Sequence, residues 1–142
     1  MSFVEALAEA KIRGDYQSML QAVPYACLIG VDIIEMGEEL VFRLPAQKDN
    51  IGNPTLPAIH GGVIGGFLEN AAIFHVLLNI DCEQMPRVVD FSLDYLRPGR
   101  YLETYASCEL VRQGRKVANV TVTAWQERRS KPVANARTHL LL

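Results

Sequence analysis

Residues that build disulfides, metal centres and redox sites are scarce in this chain. Its 142 residues include three cysteines, three histidines and one tryptophan. Cys27, Cys82 and Cys108 are odd in number and far apart, without the close Cys/His spacing that is typical of zinc sites. We therefore expect free thiols in a reducing compartment and no metal centre.

Neither positive nor negative charge is in large excess. Fourteen Lys and Arg residues stand against 16 Asp and Glu residues, which gives a formal net charge of −2 at pH 7. The chain therefore lacks the basic field that attracts nucleic acids and anionic membranes. Residues 1–11 lack the basic start and the long apolar run of a signal peptide. The sequence predicts a cytoplasmic protein with no nucleic-acid partner.

Apolar residues, in contrast, are abundant and make up 49% of the chain. A chain of this length buries roughly two-thirds of its unfolded surface, so we expect one domain over residues 1–142. The run from Val63 to Ile80 is almost long enough to cross a membrane. Polar residues such as Glu69 and His75 lie within it and would be unfavourable in lipid, so a buried core helix is expected and no membrane partner.

Extended runs on both sides of this helix predict strands. The first two flank a turn at 36–39 and predict a hairpin, and the other four predict a meander. These runs are 27–34, 40–44, 89–95, 101–111, 117–127 and 133–142. One or two short helices are expected before residue 22, and residues 47–59 are predicted to form a loop. The sum is an α+β fold in which about six antiparallel strands wrap around one central helix, with a short N-terminal helix.

A carboxylate, Glu69, lies inside the predicted central helix, nine residues after His60. In apolar surroundings an ionised carboxylate must hydrogen-bond, meet water in a cleft or favour its neutral form. Such a group suits a general base or a nucleophile. Gly61 and Gly62 carry no side chain over the first amides of the helix, so a polarised carbonyl oxygen can approach them as in an oxyanion hole.

The distance between these two features favours a shared site. Eight residues of helix separate Gly61 from Glu69, which corresponds to a rise of about 12 Å. The amide and the carboxylate of one chain therefore do not easily act on the same carbonyl. A two-fold dimer in which Gly61 of one chain faces Glu69 of the other is the simplest arrangement.

These residues resemble a known family, the hot-dog-fold acyl-CoA thioesterases. The similarity is to the phenylacetate-pathway (PaaI-like) branch and its 4-hydroxybenzoyl-CoA thioesterase relatives. Its strongest part is His60-Gly61-Gly62 followed by Glu69, and it is supported by the loop 53–60, the strand 90–98 and the turn 112–115.

The resemblance implies a homo-oligomer, a dimer or a dimer of dimers, that hydrolyses an aryl- or medium-chain acyl-CoA. Glu69 would attack the thioester carbonyl or activate a water, and the Gly61 N–H would bind the thioester oxygen. His60 would orient the loop and contact the substrate region, next to Gly62. Asn53 would lie near the leaving sulfur if the loop bulges, because it precedes the polar position of the relatives by one residue.

Coenzyme A enters this interpretation as part of the substrate, and no separate cofactor is implied. Arg97 and Arg115 are candidates for contacts with its phosphates, since they lie at strand ends with other basic residues. We also expect an apolar acyl pocket lined by four side chains. These are Phe67, Leu68, Phe74 and Tyr95.

Two alternatives stay open at this point. Pro54 and Ile73 stand where relatives carry polar groups, which is consistent with a non-catalytic protein that binds acyl-CoA or another acyl ligand. A hydratase that adds water to an enoyl-CoA would require a histidine working beside the acid. His60 lies at the helix start instead, which counts against that activity.

Overall fold

The computed structural model describes residues 1–82 and 84–142 and places one long helix against an antiparallel sheet. Four α-helices and eight strands are described. The helices are α1 (Phe3–Arg13), α2 (Gln17–Gln21), α3 (Pro24–Ile29) and α4 (Gly61–Asn79). The strands are β1 (Asp32–Met36), β2 (Glu39–Leu44), β3 (Ile51–Asn53), β4 (Ala58–Ile59), β5 (Arg87–Tyr95), β6 (Thr104–Gln113), β7 (Val117–Trp125) and β8 (Ala134–Leu141).

The N-terminal region is more helical than predicted. Residues 27–29 were expected in the first strand but belong to α3, so that prediction is wrong. Pro24 occupies the first turn of α3, and Gly30 ends it in the left-handed conformation with φ of 87°. A short apolar run does not distinguish a strand from a helix, and here the Pro and Gly at its two ends favour the helix.

Six strands form the main sheet in the order β1-β2-β6-β7-β8-β5. The predicted hairpin is present as β1 and β2, and β6, β7 and β8 form the predicted meander. The prediction is wrong for β5, which pairs with β8 rather than with β6. Residues 96–103 carry the chain from β5 to β6 across the end of the sheet, where Gln126 hydrogen-bonds both backbone groups of Arg100. As a result β5 is an edge strand.

The segment before α4 was predicted to be a loop but contains regular structure. Residues Lys48–Asn50 form a 3₁₀ turn, and β3 pairs with β4 in a small separate sheet. Its pairing register shifts between Ile51 and Asn53. This irregularity precedes Asn53, so it does not provide the bulge after Asn53 that the similarity to the relatives required. This small sheet leads directly into the start of α4.

The core lies between α4 and the six-stranded sheet. Large side chains of α4 and of the strands are fully buried there, among them Phe67, Leu68, Leu77, Phe42 and Leu140. The mean hydropathy of α4 is 1.5, high enough for a membrane span of its length, but these contacts make it a core helix. The α+β architecture of six antiparallel strands around a central helix, with a short N-terminal helix, is therefore confirmed.

One side of α4 remains open in the single chain, although its sequence predicted full enclosure. Gly62 is exposed, and Gly66, Glu69 and Ile73 are half-buried. These positions are three or four residues apart, so they share one side of the helix. We call this side, defined by residues 62, 66, 69 and 73, the open face of α4.

Candidate active site at the start of the central helix

The first turn of α4 is capped by the side chain of His60. Nδ1 of His60 accepts a hydrogen bond of 2.9 Å from the backbone N–H of Gly62. This contact requires an unprotonated Nδ1, so the neutral ring carries its proton on Nε2. The carbonyl oxygen of His60 accepts from the N–H groups of Val63 and Ile64, at 2.9 and 3.2 Å. His60 therefore satisfies three of the four amides that open the helix.

The remaining amide of this turn belongs to Gly61. Within residues 1–82 and 84–142 its N–H donates to no acceptor of the chain. A helix N-terminus carries partial positive charge, and a free N–H there can bind an anion or a developing oxyanion. The sequence placed the oxyanion site at two glycines, and the hydrogen bonds single out Gly61 as the available donor.

Contacts from three directions hold this turn. The Tyr95 hydroxyl donates to the Gly61 carbonyl oxygen at 2.7 Å, and the His60 N–H donates to the Asn50 carbonyl oxygen at 2.9 Å. The buried Asn50 side chain donates in turn to the Ile29 carbonyl oxygen of α3, at 2.9 Å. A Cβ on Gly52 would lie 2.7 Å from the His60 Cα, so only glycine fits there. The free amide is therefore held in a fixed direction.

Glu69 lies two turns further along α4, on the open face. Its side chain is half-buried and makes no hydrogen bond or ion pair with any residue that the structure describes. A partly desolvated carboxylate without a partner is available to a substrate or to water. The structure thus places Glu69 on the same helix as the free amide, and the rise of about 12 Å between them still favours a site shared by two chains.

Asn53 is the exposed last residue of β3, where the β3–β4 turn that precedes His60 begins. Its side-chain oxygen accepts the Thr55 N–H at 3.0 Å, which closes an Asx turn. The turn therefore holds the Asn53 carboxamide at the surface, on the segment that delivers the chain to α4.

The two arginines predicted to meet phosphates lie at opposite ends of the sheet. Arg97 follows β5, whereas Arg115 lies in the β6–β7 turn, at the end of the sheet where β5 begins. Arg97 lines a cavity of about 380 Å³ together with other basic residues. These are Arg100, Arg128 and Lys131. Glu127, a carboxylate that also lines this cavity, pairs with Arg100 at 2.9 Å.

This basic cavity lies at the same end of the molecule as the free amide. Arg100 forms a β-bridge with Ala58, and the Ile59 N–H donates to the Gly99 carbonyl oxygen at 2.8 Å. His60 and Gly61 follow these residues directly. The basic cavity and the free amide are therefore linked by direct backbone contacts.

The predicted acyl-pocket lining is wrong for three of its four residues. Phe67, Leu68 and Phe74 are no more than 1% exposed and belong to the core. Tyr95 is 56% exposed and contacts the start of α4. Hydrophobicity alone could not separate these roles, because the sequence does not show which side of α4 meets the sheet.

Tyr25 is a residue near the site that sequence reasoning missed. It lies on α3, and its ring packs on Gly66 of α4. Gly66 lies next to Gly65 inside an apolar helix, a pattern that indicates close packing of the helix on the sheet. A glycine that interrupts an apolar helix is a signal of close approach by another group, but it does not identify that group.

Burial lowers the pKa of His75, which lies on α4 beyond Glu69. Its Nδ1 is 3.4 Å from the Asn79 side-chain nitrogen. Among the residues that the structure describes, no group of three or more His, Cys, Asp and Glu side chains is placed to hold a metal ion.

Comparison with solved structures shows the same fold elsewhere. A protein from Chromobacterium violaceum is 45% identical, with a TM-score of 0.81 over 97% of this chain and 96% of that chain. A putative thioesterase described as phenylacetic acid degradation-related, from Ralstonia eutropha JMP134, is 20% identical, with a TM-score of 0.78 over 96% and 99%. A Bacillus halodurans protein whose crystal structure includes CoA is 21% identical, with a TM-score of 0.77 over 98% and 87%.

Among curated proteins no match was found. The sequence pattern of the thioesterase superfamily matches residues 56–133, more than half of the chain. The matched segment contains His60, Gly61 and Glu69 as well as β5, β6 and β7. The chain therefore belongs to the thioesterase superfamily.

Proposed function

We propose that this protein hydrolyses acyl-CoA thioesters to a free acid and coenzyme A. The observation that carries the proposal is that two groups of α4, the Gly61 N–H at its start and the Glu69 carboxylate on its open face, have no partner among the residues that the structure describes. One group can bind an oxyanion and the other can deliver a nucleophile, which are the two requirements of acyl transfer. The CoA in the structure of the Bacillus halodurans protein of the same fold supports this ligand class.

We propose that two chains bring these groups together, because a helix rise of about 12 Å separates them within one chain. Strand β5 has nine residues and an unpaired edge, and Val89 and Tyr95 on it are each 56% exposed. An exposed edge of this length invites pairing with another strand. We propose that β5 pairs with β5 of a second copy around a two-fold axis, so that Gly61 of one chain faces Glu69 of the other. A dimer of such dimers uses the same contact.

In the proposed reaction Glu69 provides or activates the nucleophile that attacks the thioester carbonyl carbon. It either attacks directly, forming an acyl–Glu69 anhydride that water then cleaves, or removes a proton from a water that attacks. The carbonyl oxygen gains negative charge and is stabilised by the Gly61 N–H. The carbon–sulfur bond breaks, and the thiolate of coenzyme A takes up a proton.

The neighbouring residues orient these groups. His60 fixes the helix start through Nδ1, next to Gly62, and Asn53 contacts the leaving sulfur from the β3–β4 turn. Coenzyme A is a part of the substrate here, and the proposal includes no metal or redox cofactor. We also propose that the protein acts in the cytoplasm.

Arg97 is proposed to bind the phosphates of coenzyme A, because its cavity is basic and lies at the same end as Gly61. Arg115 lies at the far end of the sheet. Antiparallel pairing of two β5 strands would bring the Arg115 end of one chain beside the Arg97 end of the other. The two arginines therefore contribute to one site only if the dimer forms.

The test is thiol release from aryl- and alkyl-CoA thioesters by the native chain and by Glu69→Gln. We expect a loss of about a hundredfold or more in kcat, the range for a missing base or nucleophile. Retained binding of the substrate would show that the variant is folded. Absence of turnover by the native chain across the panel, with retained acyl-CoA binding, would instead identify a binding protein.

A further inference from the structure

Tyr25 of α3 lies against the backbone of α4 at Gly66. A Cβ added to Gly66 would be 2.6 Å from Cε2 of Tyr25 and 2.8 Å from its hydroxyl oxygen. Such distances are shorter than carbon contacts allow, so the ring occupies the space that any side chain at position 66 would fill. The neighbouring Gly65 differs, since a Cβ there would approach only Leu93 of β5, at 3.3 Å.

The contact lies close to the proposed nucleophile. Gly66 precedes Glu69 by three residues on the open face, which corresponds to a rise of about 4.5 Å along α4. Tyr25 therefore covers the part of the open face that lies between Glu69 and the start of the helix.

The helix that carries Tyr25 is fixed relative to the candidate site. Ala26 and Ile29 bury α3 in the core. The Asn50 side chain donates to the Ile29 carbonyl oxygen, and the Asn50 backbone accepts from His60. The position of Tyr25 is thus coupled through one buried asparagine to the turn that presents the free Gly61 amide.

Although it packs on an apolar helix, Tyr25 remains 42% exposed. One side of the ring is against α4, and the rest is open. An aromatic surface of this kind, next to a reactive carboxylate, is what lines pockets for apolar ligand groups.

We propose that Tyr25 forms the wall of the acyl-binding pocket and determines which acyl groups fit beside Glu69. This proposal rests on the proposed thioester function for the identity of its ligand. A flat aryl group of the ligand can pack against the exposed part of the Tyr25 ring, whereas a long flexible acyl chain must extend past it. Tyr25 therefore favours aryl and short acyl groups over long ones.

The test uses CoA thioethers, which carry the same groups but have no thioester bond to hydrolyse. S-benzyl-CoA and S-dodecyl-CoA are titrated calorimetrically into the native protein and into Tyr25→Ala, with free coenzyme A as the reference ligand. We expect the ratio of the two Kd values to shift by about fivefold or more in favour of the dodecyl ligand, in the range for one lost aromatic contact. Binding of free coenzyme A should stay within about twofold of the native value, since Tyr25 contacts only the acyl part in this proposal.

Two further variants distinguish a role of Tyr25 as the pocket wall from a general effect of the substitution on packing. Gly66→Ala keeps the Tyr25 side chain, but the added Cβ takes the space of the ring and displaces it. This variant should shift the Kd ratio in the same direction as Tyr25→Ala. Gly65→Ala is the matched control one residue away, and should leave the ratio unchanged. If Tyr25→Ala does not fold, as judged by thermal unfolding, Gly66→Ala decides the question.

The outcomes distinguish the two proposals. An unchanged Kd ratio in folded Tyr25→Ala, or in folded Gly66→Ala when Tyr25→Ala does not fold, overturns the role of Tyr25 even if Glu69→Gln abolishes hydrolysis. A shifted ratio in a protein that hydrolyses no thioester supports the pocket wall and refutes the enzyme. If the native protein binds neither thioether, the role of Tyr25 as a pocket wall is overturned, and thiol release alone then decides whether the protein is a thioesterase.

Discussion

The hydroxyl of Tyr95 donates a hydrogen bond of 2.7 Å to the carbonyl oxygen of Gly61. It joins the last residue of the edge strand β5 to the first residue of the central helix α4. The peptide unit that follows Gly61 is therefore held by the sheet as well as by the helix. Any shift of the β5 end, including one caused by strand pairing, is transmitted to the start of α4.

Removing this hydroxyl should loosen the start of α4 without changing the reacting groups. Tyr95→Phe is expected to lower the free energy of unfolding by about 1 kcal/mol and to reduce kcat by several-fold, about tenfold at most. Steady-state thiol release and denaturant unfolding measure the two effects. Tyr101→Phe, another partly exposed tyrosine outside the site, is the control and should match the native protein. An unchanged kcat in Tyr95→Phe would show that this hydrogen bond does not position Gly61.

The role of the Gly61 N–H can be tested by a pair of substitutions. Both Gly61→Ala and Gly61→Pro add a Cβ, which would lie about 3.1 Å from the Tyr95 hydroxyl oxygen, but only proline removes the N–H. Proline is well tolerated at the first position of a helix, so α4 should still form. We expect Gly61→Pro to lose a further factor of about 10² to 10³ in kcat relative to Gly61→Ala. Equal activities of the two variants would exclude this amide as the oxyanion donor.

A site shared by two chains can be tested by mixing inactive variants. Gly61→Pro and Glu69→Gln homodimers should each be inactive. When the two chains are unfolded together and refolded, each mixed dimer carries both substitutions in one site and none in the other. Half of the dimers are mixed, so activity should recover to about a quarter of the native value. A site within one chain would show no recovery, because no chain then carries both intact groups.

The stability of the protein should depend on His75. Burial holds the pKa of His75 below its ordinary value of 6.5, so the unfolded chain binds a proton at this residue more readily than the folded one. The free energy of unfolding should therefore fall as the pH is lowered below about 6.5, and the slope should flatten below the depressed folded pKa. His75→Gln should show a weaker decrease over the same range when unfolding is followed by circular dichroism. An identical pH dependence in the variant would contradict the burial of a neutral His75.

Much of the fold could be predicted because its strongest signals are local. The glycines at 61 and 62 and the apolar run after them predict a helix from about Gly62 to Ile80, within one residue of the observed start and end of α4. The alternation in residues 89–95 likewise predicted β5. The prediction is wrong for residues 27–29 because a short apolar run fits a helix as well as a strand, and only Pro24 and Gly30 at its ends favour the helix.

The parts of the fold and of the candidate site that could not be predicted depend on contacts between residues far apart in the chain. The pairing of β5 with β8 rather than with β6 cannot be read from either strand, because each alternates in the same way. For the same reason the sequence could not show that Arg97 and Arg115 lie at opposite ends of the sheet. Tyr25 and Gly66 are 41 positions apart, and only the packing of α3 on α4 brings them together.

The proposed oxyanion donor is a main-chain group, and this affects how the activity can be lost in evolution. Every amino acid except proline supplies a backbone N–H at position 61, so few mutations there remove the donor itself. The carboxylate of Glu69, in contrast, is easily lost, since a single-base change converts a glutamate codon to a glutamine codon. A lineage that loses hydrolysis is therefore expected to lose it at position 69 first. Its anion-binding helix start would remain intact, and the enzyme would become a binding protein in one step.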